Sequence, residues 1–167
     1  MARFTNQAQL RYGNAVANSN IAVGEILEVL SATKTAVRNT YEQNDTITYI
    51  ISIVNSGNTA FTGITVSDNL GSYNFDTGTL VPLSYIPDTI KYYINGVLQA
   101  NPVVTAGPPL TVTGLSIPAN GNITIAYETA TNQFAPLGSG SVIRNTATIS
   151  GVGITPVEIT EEVTSTG

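Results

Sequence analysis

The sequence predicts an all-β protein that is folded as a β-sandwich or a β-barrel. Only 10% of its 167 residues are charged, against a usual share of about 25%, and the β-favouring residues threonine, isoleucine and valine are abundant. Turn-forming residues recur roughly every 8–12 residues, as they do in sandwiches and barrels. Between the turns, apolar and polar side chains alternate with the period of two that is typical of strands. The length suits one domain and leaves room for an appended arm.

Alternation and turn residues place the strands along the chain. Asn95-Gly96 stands between two apolar runs, and this dipeptide predicts a hairpin with a type I′ turn. No segment has convincing helix caps, and 22–30 is interpreted as a strand because of its β-branched residues. The predicted strands are, in chain order, 22–30, 30–36, 46–54, 61–68, 91–98, 110–112, 123–127, 142–150 and 157–163.

Composition excludes several classes of function. The net charge is −5, so nothing basic is present to follow a phosphate backbone, and we expect no nucleic-acid partner. Histidine and cysteine are both absent, which removes disulfides, thiolate chemistry and the commonest metal ligands. Glu42, Asp76 and Asp88 are interpreted as solvated loop charges rather than calcium ligands. We expect no cofactor, no metal and no membrane span, and the residues at the start show no apolar secretion signal.

Three polar residues interrupt apolar strand faces. Lys34 shares parity with Ala32 and Ala36, whereas Asp68 and Asn145 stand within similar apolar alternations in 61–68 and 142–150. Side chains of one parity lie on one face of a strand, so all three should point into the core. A buried charge costs several kcal/mol or more unless it is paired or neutralised. The three positions therefore predict either a functional site or an error in the strand assignment.

The head of the chain weakly repeats its tail. An Asn-x-Ala-x-aliphatic string occurs at 6–10 and again at 145–149, and 23–29 resembles 157–163. Such short strings also recur by chance in β-proteins rich in threonine and asparagine. The alternative interpretation divides the chain into an N-terminal β arm, residues 1–28, and a sandwich domain, residues 29–167. An arm that resembles terminal strands can pair with an edge strand of a neighbouring copy, and head-to-tail contacts of this kind build open filaments unless they close into rings.

Four segments in a fixed order carry a resemblance to a known family. They are Ser-Ala-Thr-Lys-Thr-Ala at 31–36, Asp-Thr-Ile-Thr-Tyr-Ile-Ile-Ser-Ile-Val-Asn-Ser-Gly at 45–57, Ile-Thr-Val-Ser-Asp-Asn-Leu at 64–70 and Asn-Thr-Ala-Thr-Ile-Ser-Gly at 145–151. Together they resemble the conserved repeat domain of bacterial surface proteins once labelled domain of unknown function eleven. The resemblance implies an immunoglobulin-like antiparallel β-sandwich, usually in tandem arrays. A single copy with an arm departs from that pattern and favours a self-assembling subunit.

The resemblance also implies a chemical role for the three polar residues. Related surface sandwiches often carry an intramolecular Lys–Asn isopeptide bond with an acidic residue nearby, which maps here to Lys34, Asn145 and Asp68. Burial lowers the pKa of a lysine and raises that of an aspartate, so a neutral amine could attack the asparagine amide and expel ammonia. The alternatives are that the Lys34 amine snorkels to solvent, that Asp68 begins a turn, and that Asn145 satisfies backbone groups at a bulge.

The sequence thus predicts a structural protein rather than an enzyme. The leading hypothesis is a subunit of an extracellular filament on a cell or spore surface, which polymerises with itself head to tail. The alternative is a surface adhesin or binding module for a glycan or protein. Tyr85, Tyr92 and Tyr93 could form a carbohydrate platform, since aromatic side chains supply rigid contact area, but a packed hairpin face is the favoured interpretation of that tyrosine group.

Overall fold

The computed structural model describes residues 29–167, and all regular structure in that range is β-strand. The predicted arm, residues 1–28, lies outside the described residues, as does most of the predicted strand 22–30. The described strands are, in chain order, β1 (Leu30–Ala36), β2 (Thr40–Tyr41), β3 (Thr46–Asn55), β4 (Phe61–Asp68), β5 (Tyr73–Phe75), β6 (Gly78–Leu80), β7 (Leu83–Tyr85), β8 (Lys91–Ile94), β9 (Val97–Leu98), β10 (Val103–Thr105), β11 (Leu110–Ile117), β12 (Gly121–Thr131), β13 (Val142–Ser150) and β14 (Val157–Ser165).

Two sheets form a sandwich, which settles the choice between sandwich and barrel. The first sheet has the strand order β9-β8-β12-β3-β1, and β7 also pairs with β12. The second has the order β10-β11-β4-β13-β14-β2. The long pairings are antiparallel, whereas the short β2 runs parallel to β14. The predicted all-β antiparallel sandwich is confirmed.

Several strand bounds follow directly from alternation. The predicted segments 61–68 and 142–150 coincide with β4 and β13, and 46–54 ends one residue before β3 does. The predicted hairpin is present as β8 and β9, and its turn residues Asn95 and Gly96 have φ angles of 47° and 81°. Both angles lie in the left-handed region that a type I′ turn requires. Among residues 29–167, no helix is long and apolar enough to cross a membrane.

The core lies between β3 and β12 of the first sheet and β4, β11 and β13 of the second. On the inward face of β3 and β12, three directly opposite pairs have side chains that are at most 1% exposed. Burying each such aliphatic side chain contributes about 1.5–3 kcal/mol. The pairs at the centre of the first sheet are Tyr49 with Tyr127, Ile51 with Ile125, and Ile53 with Ile123.

Candidate functional site

The three predicted site residues come from both sheets. Lys34 lies in β1 of the first sheet, whereas Asp68 ends β4 and Asn145 lies in β13 of the second. They are 5%, 1% and 0% exposed, respectively. All three therefore lie in the core, as the alternation predicts, and the lysine meets the second sheet from the opposite side of the sandwich.

Lys34 and Asp68 form a buried ion pair that includes a tyrosine. Lys34 Nζ donates to Asp68 Oδ2 at 2.7 Å and to the hydroxyl oxygen of Tyr127 at 2.7 Å. The Tyr127 hydroxyl in turn donates to Asp68 Oδ2. Asp68 Oδ1 accepts from the backbone N–H of Leu70 at 2.7 Å. The carboxylate thus accepts from three donors, which offsets its desolvation.

These contacts decide two of the alternatives. The Lys34 side chain has no exposed surface and its amine is paired, so the interpretation of a snorkelling lysine is wrong. Asp68 does begin a turn, because its Oδ1 atom accepts from a backbone N–H two residues on. Its other oxygen pairs with Lys34. The turn and the core site are therefore formed by the same side chain.

Two aromatic rings surround the lysine amine. Lys34 Nζ lies 4.7 Å from the ring centroid of Tyr49 and 5.3 Å from that of Tyr127. The two rings are stacked, with centroids 6.1 Å apart and planes 29° from parallel. Ring faces attract a cation, but they exchange no protons with it. The amine is therefore held in a buried pocket whose hydrogen-bond acceptors are Asp68 and Tyr127.

The environment shifts three pKa values. Burial lowers the pKa of Lys34, and the negative charges of Asp68 and Glu161 oppose that shift in part. Burial raises the pKa of Tyr127 well above its usual value, and the charge of Asp68 adds to the effect. Burial likewise raises the pKa of Tyr49. The lysine is thus closer to a neutral amine than a surface lysine is, while both tyrosines keep their protons.

Asn145 is buried without compensation. Within residues 29–167, neither its Oδ1 nor its Nδ2 atom makes a hydrogen bond, and the same holds for the Tyr49 hydroxyl. The two groups are close enough for the Asn145 amide to oppose the raised pKa of Tyr49, but they do not reach hydrogen-bond geometry. Leaving a buried polar group unpaired costs about 1–3 kcal/mol. The interpretation that Asn145 satisfies backbone groups at a bulge is therefore wrong. Any change that gives these amide atoms hydrogen-bond partners would therefore lower the free energy of the folded state.

Strand register places Asn145 beside the ion pair. Asp68 lies directly opposite Ala147, and Asn145 is two residues along on the same face, so the two are diagonal neighbours about 7–8 Å apart at Cα. On its other side, Asn145 lies opposite Glu161 of β14. The amide thus lies between Asp68, which pairs with Lys34, and Glu161, which accepts a hydrogen bond from the same strand as Lys34.

Glu161 is a site residue that the sequence analysis missed. The segment 157–163 reads as an exposed acidic strand, and Glu158 and Glu162 are indeed exposed. Glu161 is half-buried, and its Oε2 atom accepts from the backbone N–H of Ala36 in β1 at 2.9 Å. Glu161 shares parity with Val163, so the alternation that identified Lys34 also contains this signal.

The arrangement supplies an amine and an amide but no metal cluster. Among residues 29–167, no group of three or more His, Cys, Asp or Glu side chains is arranged to hold a metal ion. An amine of lowered pKa, a carboxylate and a buried carboxamide are the nucleophile, the acid–base group and the electrophile that amide exchange requires. In that reaction one amide nitrogen replaces another.

Comparisons with known proteins identify the fold. No family model and no curated protein matches the sequence. The pilus backbone protein RrgB of Streptococcus pneumoniae is similar, at 13% identity and a TM-score of 0.56 over 72% of this chain and 31% of that chain. The major pilin subunit BcpA of Bacillus cereus matches at 17% identity and a TM-score of 0.54, over 90% of this chain and 44% of that one.

The major pilin GBS80 of Streptococcus agalactiae, as a 35 kDa C-terminal fragment, matches at 11% identity and a TM-score of 0.54. That match covers 83% of this chain and 56% of the fragment. The chain thus spans between 31% and 56% of the length of these three matched chains. At these identities the likeness shows the fold alone, an immunoglobulin-like β-sandwich, as the sequence predicts.

Proposed function

We propose that the chain is a structural subunit of a self-assembling filament on a cell or spore surface, covalently stapled by a Lys34–Asn145 isopeptide bond. One observation carries the proposal: a buried Lys34–Asp68 pair lies beside a buried amide that has no partner among the described residues. The likeness of the fold to pilin domains supports the filament assignment. Covalent reinforcement suits a fibre that is pulled along its length.

The bond would form in three balanced steps. The Lys34 ammonium gives one proton to the Asp68 carboxylate, which it already contacts at 2.7 Å. The neutral Nζ atom attacks Cγ of Asn145, while the protonated Asp68 hydrogen-bonds the amide oxygen. A second proton moves from Nζ to Nδ2, the Cγ–Nδ2 bond breaks, and ammonia leaves with the proton that Asp68 held. Asp68 ends as a carboxylate, and the reaction occurs once per chain, so the protein is not an enzyme.

The staple would join the two sheets. Lys34 belongs to the first sheet and Asn145 to the second, so separating the sheets would require breaking a covalent bond. The linked positions enclose about 110 residues, and by the cross-link entropy model such a closure stabilises by roughly 4–5 kcal/mol. The chain has no cysteine, so no disulfide can provide this closure.

The outer strands β9 and β10 offer a site for strand addition. Each is the last described strand on its side of a sheet. Val97, Leu98 and Val103 are 63%, 57% and 71% exposed, and neither strand carries a charge. Sheet edges are usually protected by charges or proline. We propose that residues 1–28 of one copy pair with such an edge of the next copy, head to tail.

Intact mass tests the staple. Folded protein should be lighter than the sequence by one ammonia molecule, whereas Lys34→Ala and Asn145→Ala chains should have their full sequence masses. The matched control is Lys91→Ala, which removes an exposed lysine and should keep the ammonia loss. A folded wild-type chain of full sequence mass would rule out the bond.

Truncation tests the arm. A chain without residues 2–28 should fold, lose ammonia and remain monomeric, because it keeps the complete sandwich but lacks the donor segment. Negative-stain electron microscopy and sedimentation at matched concentrations would compare it with the full chain. Filaments that persist in the truncated protein would contradict the role of the arm and leave the staple unaffected.

A binding module is the second candidate, favoured by one cleft. The cleft has a volume of about 480 Å³ and includes the side chains of Leu80, Tyr85 and Phe134. Tyr92 and Tyr93 do not line this cleft. Tyr92 is buried and its hydroxyl donates to the backbone oxygen of Ser116, so the three tyrosines do not form a platform. Reproducible micromolar binding to a glycan array, lost in Tyr85→Ala and without polymer at high concentration, would favour this function.

A further inference from the structure

We propose that Tyr127 is a positioning residue for the cross-link, whose hydroxyl orients the Lys34 amine for attack on Asn145. This inference rests on the proposed isopeptide bond. Tyr127 shares its parity with Ile123 and Ile125 and, in sequence, is indistinguishable from a packing residue. The structure instead places its hydroxyl in contact with both charged members of the site.

The geometry of a neutral amine makes this contact decisive. A neutral lysine has two N–H bonds and one lone pair, and only the lone pair attacks a carbonyl carbon. Lys34 Nζ lies 2.7 Å from Asp68 Oδ2 and 2.7 Å from the Tyr127 hydroxyl. When both N–H bonds point at these two oxygens, the lone pair can take only the remaining direction. With one acceptor alone, the amine rotates about its Cε–Nζ bond and the lone pair is no longer oriented.

Tyr127 is well placed to act as a fixed acceptor. It lies in β12, which pairs with β3 on one side and β8 on the other, and its side chain is 1% exposed. Its hydroxyl proton is directed to Asp68, so an oxygen lone pair remains for Lys34. Burial and the charge of Asp68 raise its pKa, so it keeps that proton. Tyr127 therefore orients the amine without gaining or losing a proton in the reaction.

Tyr49 provides a matched internal control. It lies directly opposite Tyr127 in the sheet, it is 0% exposed, and its ring centroid is closer to Lys34 Nζ, at 4.7 Å against 5.3 Å. Among the described residues, its hydroxyl makes no hydrogen bond to Lys34 or Asp68; the side chain that it approaches is Asn145. The two tyrosines thus share ring packing against the lysine and differ in what their hydroxyl groups contact.

The rate of ammonia loss separates the two residues. Full-length chains labelled in a short pulse of cell-free synthesis would be followed by intact mass during the chase. We expect Tyr127→Phe to convert roughly 10–100-fold more slowly than wild type, the effect of losing orientation at a reacting atom. Tyr49→Phe keeps both acceptors and should convert within about twofold of wild type.

The pH profile distinguishes positioning from a general folding defect. The groups that face the Lys34 amine are Asp68 of β4, Tyr127 of β12, Tyr49 of β3 and Glu161 of β14. The reaction starts from a Lys34 ammonium that gives its proton to Asp68, so conversion should slow at alkaline pH, where the amine has already lost that proton to solvent. Removing the Tyr127 hydroxyl removes an acceptor that favours the ammonium, so this decline should begin at lower pH, and the rate below it should also fall. A purely structural defect would lower the rate without moving the decline.

Each outcome has a defined meaning. If wild-type chains lose no ammonia, the cross-link and the role of Tyr127 both fail. If wild type converts and Tyr127→Phe matches Tyr49→Phe in rate and pH profile, only the role of Tyr127 is overturned. Should Tyr127→Phe not fold, a ring-fluorinated tyrosine at 127 keeps the shape and weakens the hydroxyl as an acceptor. It should slow conversion, and an unchanged rate and profile would overturn the proposal.

Discussion

Asn55 and Asn145 are both 0% exposed, yet their surroundings are opposite. Asn55 ends β3, where its Nδ2 atom donates to the backbone oxygens of Thr59 at 2.8 Å and Pro118 at 3.1 Å. Its Oδ1 atom accepts from the N–H of Gly57 at 2.9 Å. Asn145 lies within β13, and its amide has no hydrogen-bond partner in the part of the chain that the structure describes.

The difference follows from where each side chain lies. Asn55 stands at the end of a strand, where the following loop leaves backbone groups unpaired, and its amide satisfies them. Asn145 stands in the middle of a strand whose backbone groups are used by the neighbouring strands β4 and β14. A buried amide with partners stabilises a loop, whereas one without partners next to an amine is placed for chemistry.

The largest effect that tests this contrast is expected from Asn145→Ala. If the staple forms, losing it should lower the free energy of unfolding by roughly 4–5 kcal/mol. If no bond forms, the substitution removes two unpaired buried polar atoms and should be close to neutral or stabilising. Urea denaturation, read together with intact mass, distinguishes the two outcomes. If wild type is lighter by one ammonia and Asn145→Ala nevertheless has nearly the same free energy of unfolding, the bond forms but does not stabilise the fold.

Asn55→Ala should have the next largest effect. It leaves the N–H of Gly57 and the backbone oxygens of Thr59 and Pro118 without their partner, at a cost of about 3 kcal/mol. Its intact mass should still show the ammonia loss, because the hydrogen bonds described for Asn55 go to Gly57, Thr59, Ile117 and Pro118 and none goes to the lysine site. An Asn58→Ala chain, which changes an exposed residue of the same loop, is the neighbouring-loop control. Loss of the cross-link in Asn55→Ala would mean that the two asparagines are not independent.

The smallest effect concerns alkaline pH. Burial raises the pKa values of Tyr49 and Tyr127 above the usual 10.0, so above that pH the unfolded chain releases protons that the folded chain keeps. The stability that these groups contribute is complete below pH 10.0 and is lost as pH rises through their raised pKa values. Denaturation from about pH 9 to about pH 11 should show this decline.

Substitutions then assign the alkaline decline to the lysine site. Tyr49→Phe should make it shallower, since one fewer buried hydroxyl resists ionisation. Asn55→Ala should lower stability by a similar amount at every pH and leave the slope unchanged. An identical slope in wild type and Tyr49→Phe would show that this tyrosine does not take part.

Much of the fold and half of the site follow from alternation alone. The bounds of β4 and β13 coincide with the predicted segments, because a strand with one buried face must alternate along its length. The same rule places Lys34, Asp68 and Asn145 inside the core. Glu161 was within reach of that rule, but the neighbouring Glu158 and Glu162 made the segment resemble an exposed acidic strand.

Other features could not be predicted from local pattern. Nothing in the sequence separates Tyr127 from Tyr49, since both occupy inward positions on neighbouring strands. They differ because Asp68, at the end of β4, approaches the Tyr127 hydroxyl from across the sandwich. Sequence also gives no indication that Asn55 is bonded and Asn145 is not, because the partners of Asn55 come from loops up to 63 residues away.

The sequence by itself determined the all-β class, the bounds of several long strands and the faces on which the polar residues lie, because these depend on a period of two within each strand. Only the tertiary structure decided that Lys34 pairs with Asp68, that Tyr127 bridges them and that the Asn145 amide has no partner among the described residues. Lys34 and Tyr127 are 93 positions apart in one sheet, and both reach across the sandwich to Asp68 of the other. Packing of one sheet on the other, which no local alternation specifies, brings them together.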